Sequence, residues 1–272
     1  MRSLKWIKYA FLYLMVLAFV LPMLFTFISS FKNNNEIFSA PFSLPKIWRF
    51  ENWQIAWSSA GMSRYLLNSF GLAIGSVALI LIVASMVAYE ISRFNFRINK
   101  LLLSFFLMGM MIPMHAIIVP ISWIIGNLDL KNNIGALMLL YIAFAMPFTT
   151  AVLANFMRAI PVEIEEAAVL DGASKFAIYL RVILPMSGPA LSTVAIFNFL
   201  SVWNDVMFPL LFINDPSMKT VALGLLNFSG EHGTDYGPMM AAISITISVP
   251  FILYIFFQER IENGIAAGAI KG

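Results

Sequence analysis

The chain contains no cysteine. That excludes disulfides, thiolate nucleophiles and cysteine-rich metal sites. Charge is scarce as well: only 11% of residues are Asp, Glu, Lys or Arg, where soluble domains carry about 25%. There are two histidines, His115 and His232, and lying in different places they form no metal site. Catalytic signatures are missing in turn. No HExxH, GxSxG or GxxxxGK[ST] occurs, so the chain has no motif for a zinc hydrolase, a serine hydrolase or a phosphate-cradling loop of its own. Ser43-Leu44-Pro45-Lys46 fits S-x-x-K, but that chemistry needs both side chains on one helical turn, and Pro45 opposes such a turn.

Apolar sequence fills the space. Of the 272 residues 60% are hydrophobic, and the mean hydropathy is +0.85. The pattern predicts an all-α integral membrane protein, one transmembrane domain over residues 1–272. Six spans are expected at about residues 9–31, 66–91, 101–125, 134–157, 182–213 and 239–258, each long enough to cross about 30 Å of hydrocarbon. The basic start (Arg2, Lys5, Lys8) is not read as a cleaved leader, because the apolar run behind it is too long and lacks an A-x-A site. Residues 32–65 form the largest loop, with Trp48, Trp53 and Trp57 suited to a membrane–water boundary. Gly71 and Gly75 make a GxxxG, either a close-approach face or an incidental pair of small residues. The third span is expected to be broken by Pro113 and Pro120. His115 between them either lines a cavity or bonds within the helix packing.

Six spans place both ends on one side. With that side inside, eleven Lys and Arg fall on inner segments and six on outer ones, which favours cytoplasmic termini.

The longest polar interruption of the C-terminal half is PVEIEEAAVLDGASKFAIYLRVILP, Pro161 to Pro185. Pro161 suits the first turn of a helix, and Glu163, Glu165 and Glu166 suit its positive end. Gly172 is a helix stop, and Lys175 to Arg181 predicts a second short helix. Two helices with a glycine elbow follow, on the cytoplasmic side. In the fifth span Asn198, Ser201 and Asp205 recur at three- and four-residue spacing, with Asn204 alongside, so they share a face. Such a face is expensive in hydrocarbon and turns to protein or water. It lines a path, packs against a partner helix or, at Asp205 near the outer edge, is simply hydrated.

Glu166-Ala167-Ala168, three residues, Gly172, nine residues and Val182-x-Leu184-Pro185 resemble the EAA motif of permease subunits of bacterial ATP-binding-cassette (ABC) importers. The family pattern ends in Ile-x-Leu-Pro, so Val182 is the one departure. Trp203-Asn204-Asp205, Pro209-Leu210 and the closing Gly264-to-Gly272 stretch resemble the carbohydrate-uptake branch, subunits similar to MalG of maltose importers. The resemblance implies the type I importer permease fold in a bacterial cell membrane. It also implies coupling to ATPase subunits through Glu163, Glu165, Glu166, Ala167, Ala168, Asp171, Gly172, Leu184 and Pro185. The glutamates would pair with basic groups on the ATPase, and both alanines would offer it a low surface. Asn198, Ser201, Asn204, Asp205 and His115 become candidates for the substrate path.

The implied partners are a second homologous permease, two ATPases holding ATP and Mg, and an extracytoplasmic solute-binding protein. This chain would bind no cofactor, no metal and no nucleic acid, and would not itself be an enzyme. The implied cargo is a sugar, an oligosaccharide above all; a polyol or a sugar phosphate such as glycerol phosphate is the alternative. An ion-coupled secondary transporter is the rival class. It needs intramembrane carboxylates, and Glu90 and Asp205 alone come near.

Overall fold

Some helix ends are set by caps and breakers in the sequence, Asn133 before the helix Ile134–Arg158 and Gly172 after the helix Glu163–Leu170 among them. The computed structural model describes residues 2–93, 99–230 and 233–269, with side chains for 5–93, 101–228 and 234–259. Arg97, His232 and Lys271 lie outside the described residues, and of the closing Gly264-to-Gly272 stretch only helical backbone as far as Ala269 lies within them. The main helices are α1 (Arg2–Ser29), α2 (Met62–Arg93), α3 (Asn99–Gly109), α4 (Ile118–Asn127) and α5 (Ile134–Arg158). They continue as α6 (Glu163–Leu170), α7 (Lys175–Met186), α8 (Gly188–Asn204), α9 (Met207–Phe212) and α10 (Tyr236–Ala269). Asn133 caps α5, its side chain accepting from Ala136 N at 3.2 Å, a standard use of Asn at a helix start. A two-residue ladder pairs Ser229–Gly230 with Gly233–Thr234.

Two spans differ from the sequence reading. The third bends by 86° between α3 and the segment Met114–Asn127. The break falls at Met110 to Pro113; Pro120 sits in the first turn of α4, where a proline is tolerated. The fifth, expected over 182–213, is a bent pair, α7 with the 17-residue α8. Residues 182–186 belong to α7, and the chain turns by 75° at Ser187 before entering α8. Pro189 has no N–H for the carbonyl four residues back, which permits the bend. At the other end Asp205 leaves the helix and starts α9.

Polar contacts decide whether the bent pairs cross the membrane. Arg93, at the end of α2, donates to Ile160 O at 2.9 Å, just beyond the end of α5. Arg158, at the end of α5, reaches Ile91 O at 3.5 Å. The C-terminal ends of α2 and α5 are therefore neighbours, which requires the α3–α4 pair between them to traverse. A re-entrant pair would have put them on opposite faces. By the same argument α7–α8 traverses: Tyr141, near the start of α5, donates to Asp205 at 2.8 Å. Asn132 also holds the chain beyond α9, its N–H on Phe212 O at 2.8 Å and its side chain accepting from Asn214 N and Asp215 N. With α1, α2, α5 and α10 long enough by themselves, the described residues hold four candidate spans, and six with each bent pair counted as one.

The chain forms two compact units, Met1–Leu67 with Thr220–Ile252 and Asn68–Lys219 with Leu253–Gly272. In the first, Asn34 clasps the start of α10 through Thr234 O and Tyr236 N, both at 2.9 Å. Lys32 is fully buried, and its ammonium donates to Ala40 O and Pro41 O at 3.1 and 2.9 Å. Phe31 packs among Trp48, Phe50 and Trp53, with ring centroids 5.2 to 5.7 Å away. In the second unit the core joins Ala84 and Ala88 of α2, Leu153, Ala154 and Met157 of α5, Ile183 of α7, and Ala190 and Val194 of α8. Small side chains let helices approach closely where lipid supplies no hydrophobic drive. Of the GxxxG pair only Gly75 is in close contact, a Cβ there meeting Met138 Cε at 2.7 Å, while Gly71 faces open space.

Candidate functional site

The polar segment after α5 folds as two helices about a left-handed glycine. Gly172 has φ +82°. Its N–H reaches Val169 O at 2.9 Å, and Ala173 N reaches Ala168 O at 3.0 Å. That pair of bonds is the Schellman arrangement, which satisfies the last carbonyls of a helix and turns the chain sharply. Two residues on, Ser174 caps α7, its Oγ accepting from Ala177 N at 3.3 Å. The elbow is thus specified from both sides.

Its side chains divide into two sets. Glu163, Glu166, Ala167, Asp171, Gly172 and Pro185 are exposed. So are Val169, Leu170 and Phe176, with Leu170 88% accessible. Glu165, Ala168 and Leu184 are half-buried and face the protein. Glu165 forms an ion pair with Arg93 and accepts from Tyr89 OH at 3.3 Å. Ala168 and Leu184 pack on the core of α2, α5 and α7. The expectation that both alanines and every glutamate face outward is therefore corrected: a helix of eight residues seated on a core must turn one face inward. A groove of about 450 Å³ runs along this seam, lined by Tyr89, Arg93, Glu165, Glu166, Leu170 and Lys175 among others.

The polar stripe of α8 lies at a second place. Asn198, Ser201, Asn204 and Asp205 line one cavity of about 320 Å³ with Tyr141, Phe144, Phe148, Phe197 and Phe208. Asn198 is buried, and its amide donates to Thr149 Oγ1 at 3.0 Å and Val194 O at 2.8 Å. Asp205 accepts from Met207 N and Phe208 N at 3.0 and 3.2 Å as well as from Tyr141. It is a capping group for α9, not merely a hydrated one. Ser201 and Asn204 are exposed to the cavity. His115 is exposed on the 3-10 turn after Pro113 and does not line the cavity, although Met114 does.

Sequence reasoning missed Ser85, Tyr89, Arg93, Tyr141, Thr149 and Tyr179. Arg93 is one of the eleven basic residues counted on inner segments. The spacing of Ser85, Tyr89 and Arg93, four residues apart on α2, was the available signal for a polar face. Among the described residues no three His, Cys, Asp or Glu gather as metal ligands.

The family model of binding-protein-dependent transport system inner membrane components matches residues 80–267. The diacetylchitobiose uptake system permease protein NgcG of Streptomyces coelicolor is 36% identical over 267 residues, covering 97% of this chain and 88% of that one. The multiple sugar-binding transport system permease protein MsmG of Streptococcus mutans is 33% identical over 269 residues, covering 97% and 96%. Among solved structures, a bacterial ABC transporter involved in the import of the acidic polysaccharide alginate matches with TM-score 0.84 at 20% identity, over 95% of this chain and 96% of that one.

Proposed function

This chain belongs to the family of binding-protein-dependent transport system inner membrane components, and on that premise we propose that it is the permease subunit of an ABC importer carrying an oligosaccharide into the cytoplasm. The observation that carries the mechanism is the Schellman elbow at Gly172, seated on one core and presenting Glu166, Ala167, Val169, Leu170 and Phe176 outward. An exposed apolar knob rimmed by carboxylates suits a partner groove with basic edges. The partners are two ATPase subunits that hold ATP and Mg, a second homologous permease and an external solute-binding protein. Closure of the ATPases on ATP rotates the spans as rigid bodies between outward- and inward-facing arrangements. Both termini and the elbow lie in the cytoplasm.

The sugar reading rests on the relatives' cargo and on the cavity. Five aromatic rings beside Asn198, Ser201 and Asn204 suit a pyranose, whose C–H faces stack on rings while its hydroxyls need donors and acceptors. The test is uptake of labelled oligosaccharides, a polyol and glycerol phosphate by cells with and without this gene. Uptake of glycerol phosphate alone would sink the oligosaccharide reading, and uptake driven by an ion gradient without ATP would sink the importer.

One observation favours a second role for the deepest residue of the stripe. The Asn198 amide is bonded to Thr149 on α5, which makes it a packing group between α5 and α8. Asn198→Leu is expected to lower assembly first, whereas Asn204→Leu reduces transport with assembly and basal ATPase intact. Measuring all three on one preparation separates the two.

A further inference from the structure

Both arms of the Gly172 elbow are fastened to the same helix, and through one row of side chains. Ser85, Tyr89 and Arg93 follow each other at four-residue spacing along the last turns of α2, a strip about 12 Å long at 1.5 Å per residue. Arg93 and Tyr89 hold Glu165, on the arm before the elbow. Ser85 holds Tyr179, on the arm after it, with the two hydroxyl oxygens 2.8 Å apart. Either hydroxyl can donate in that pair, and Ser85 Oγ also reaches Ile82 O at 3.2 Å. Tyr179 is buried, and its ring lies 5.3 Å from that of Tyr89. Arg93 also holds the connection out of α5 through Ile160 O. One row of α2 therefore touches the chain before α6, on α6 and on α7.

We propose that the Ser85–Tyr89–Arg93 row is a two-point clamp through which movement of the elbow enters the membrane by way of α2. The inference rests on the reading of the elbow as an ATPase docking element and adds the residues that pass its motion on. A single attachment would let the elbow pivot about its contact. Two attachments on either side of Gly172 remove that freedom, so α6, α7 and the end of α2 move as one body. These are positioning residues; none of them touches nucleotide or cargo.

The absence of cysteine makes the test direct. Spin labels are placed on introduced cysteines at Val162, Leu180 and Met86, all on exposed surface, in the transporter assembled with its ATPase subunits. The Val162–Met86 and Leu180–Met86 distances are expected to stay the same in the nucleotide-free and ATP–vanadate-trapped states. Arg93→Gln combined with Tyr89→Phe is expected to broaden the Val162–Met86 distribution, and Ser85→Ala the Leu180–Met86 one. In the same preparations binding-protein stimulation of ATPase activity is expected to fall roughly tenfold, while basal ATPase activity and subunit retention stay within about twofold. The charge swap Arg93→Glu with Glu165→Arg is expected to recover part of the stimulation.

A distance that changes between nucleotide states in the unaltered chain overturns the clamp, because the contacts then open in the cycle. So does a variant that leaves both distribution and stimulation unchanged, or one that merely lowers assembly. A transporter that never responds to ATP overturns the importer reading instead. In that case the nucleotide-free distributions of the variants still decide whether the row holds the elbow.

Discussion

A few single residues carry consequences out of proportion to their size. At Gly172 no atom lies within 4 Å of a built Cβ, so a side chain would cost only backbone energy, about 1–2 kcal/mol for an ordinary residue at positive φ. Gly172→Val is expected to leave the chain inserted yet cut ATPase co-purification and uptake at least severalfold. Gly172→Asn should retain most of both, because Asn tolerates the left-handed region; equal behaviour of the two variants would show that the conformation does not matter. Lys32 offers a test in pH. Burial pushes its pKa below the ordinary 10.5, and the charge of Glu36 opposes this more weakly. The folded chain therefore releases this proton before the unfolded one does. The penalty for burying the ammonium is full below the folded pKa and fades as pH climbs from there to 10.5. The melting temperature in detergent, relative to a Lys32→Met variant, is expected to rise over that alkaline window and be flat beneath it.

At the scale of elements, what was readable is what local chemistry decides. The elbow could be read because Gly172, Ser174 and the acidic first turn each act within a few residues of themselves. The four long helices could be read because about 20 apolar residues in line have one solution in lipid. The two bends were only half legible. Pro113, Pro120, Pro185 and Pro189 all signal a break, yet α4 absorbs Pro120 in its first turn and the chain bends at Pro113 and Ser187. That choice depends on neighbouring helices. Asp205 was the hardest to read, because its role requires knowing that α8 stops at Asn204 and that α9 starts again at Met207. Removing its carboxylate in Asp205→Ala is expected to cost about 1 kcal/mol at that cap, or roughly fivefold faster hydrogen exchange through residues 205–212. Asp205→Asn keeps an acceptor oxygen and should lose less. Unaltered exchange in the alanine variant would deny the capping role.

For the whole molecule, the proposed six crossings and the side of each loop are open to chemical labelling of a chain that has no cysteine to remove first. Cysteine at Lys131 is expected to react with a membrane-impermeant maleimide in intact cells. Cysteine at Leu170 should react only after permeabilisation, and the reverse result would invert the topology. Reconstituted with its partners, the transporter is expected to accumulate cargo only with ATP inside and binding protein outside. At this scale the family could be read from one 20-residue motif, whereas the pairing of α2 with α5 could not. Arg93 and Ile160 are 67 residues apart, and no periodicity joins residues so distant.

That separation also bears on how the protein is made. Arg93 leaves the ribosome well before Ile160, and at about 5–20 residues per second the interval is roughly 3 to 13 seconds. Through that time the basic end of α2 has neither the carbonyl of Ile160 nor the carboxylate of Glu165. The helix enters the bilayer with its anchor incomplete, and the row Ser85–Tyr89–Arg93 gains its last partners only when Glu165 and Tyr179 have followed the fourth span. The second span is in this sense completed by chain made after the fourth.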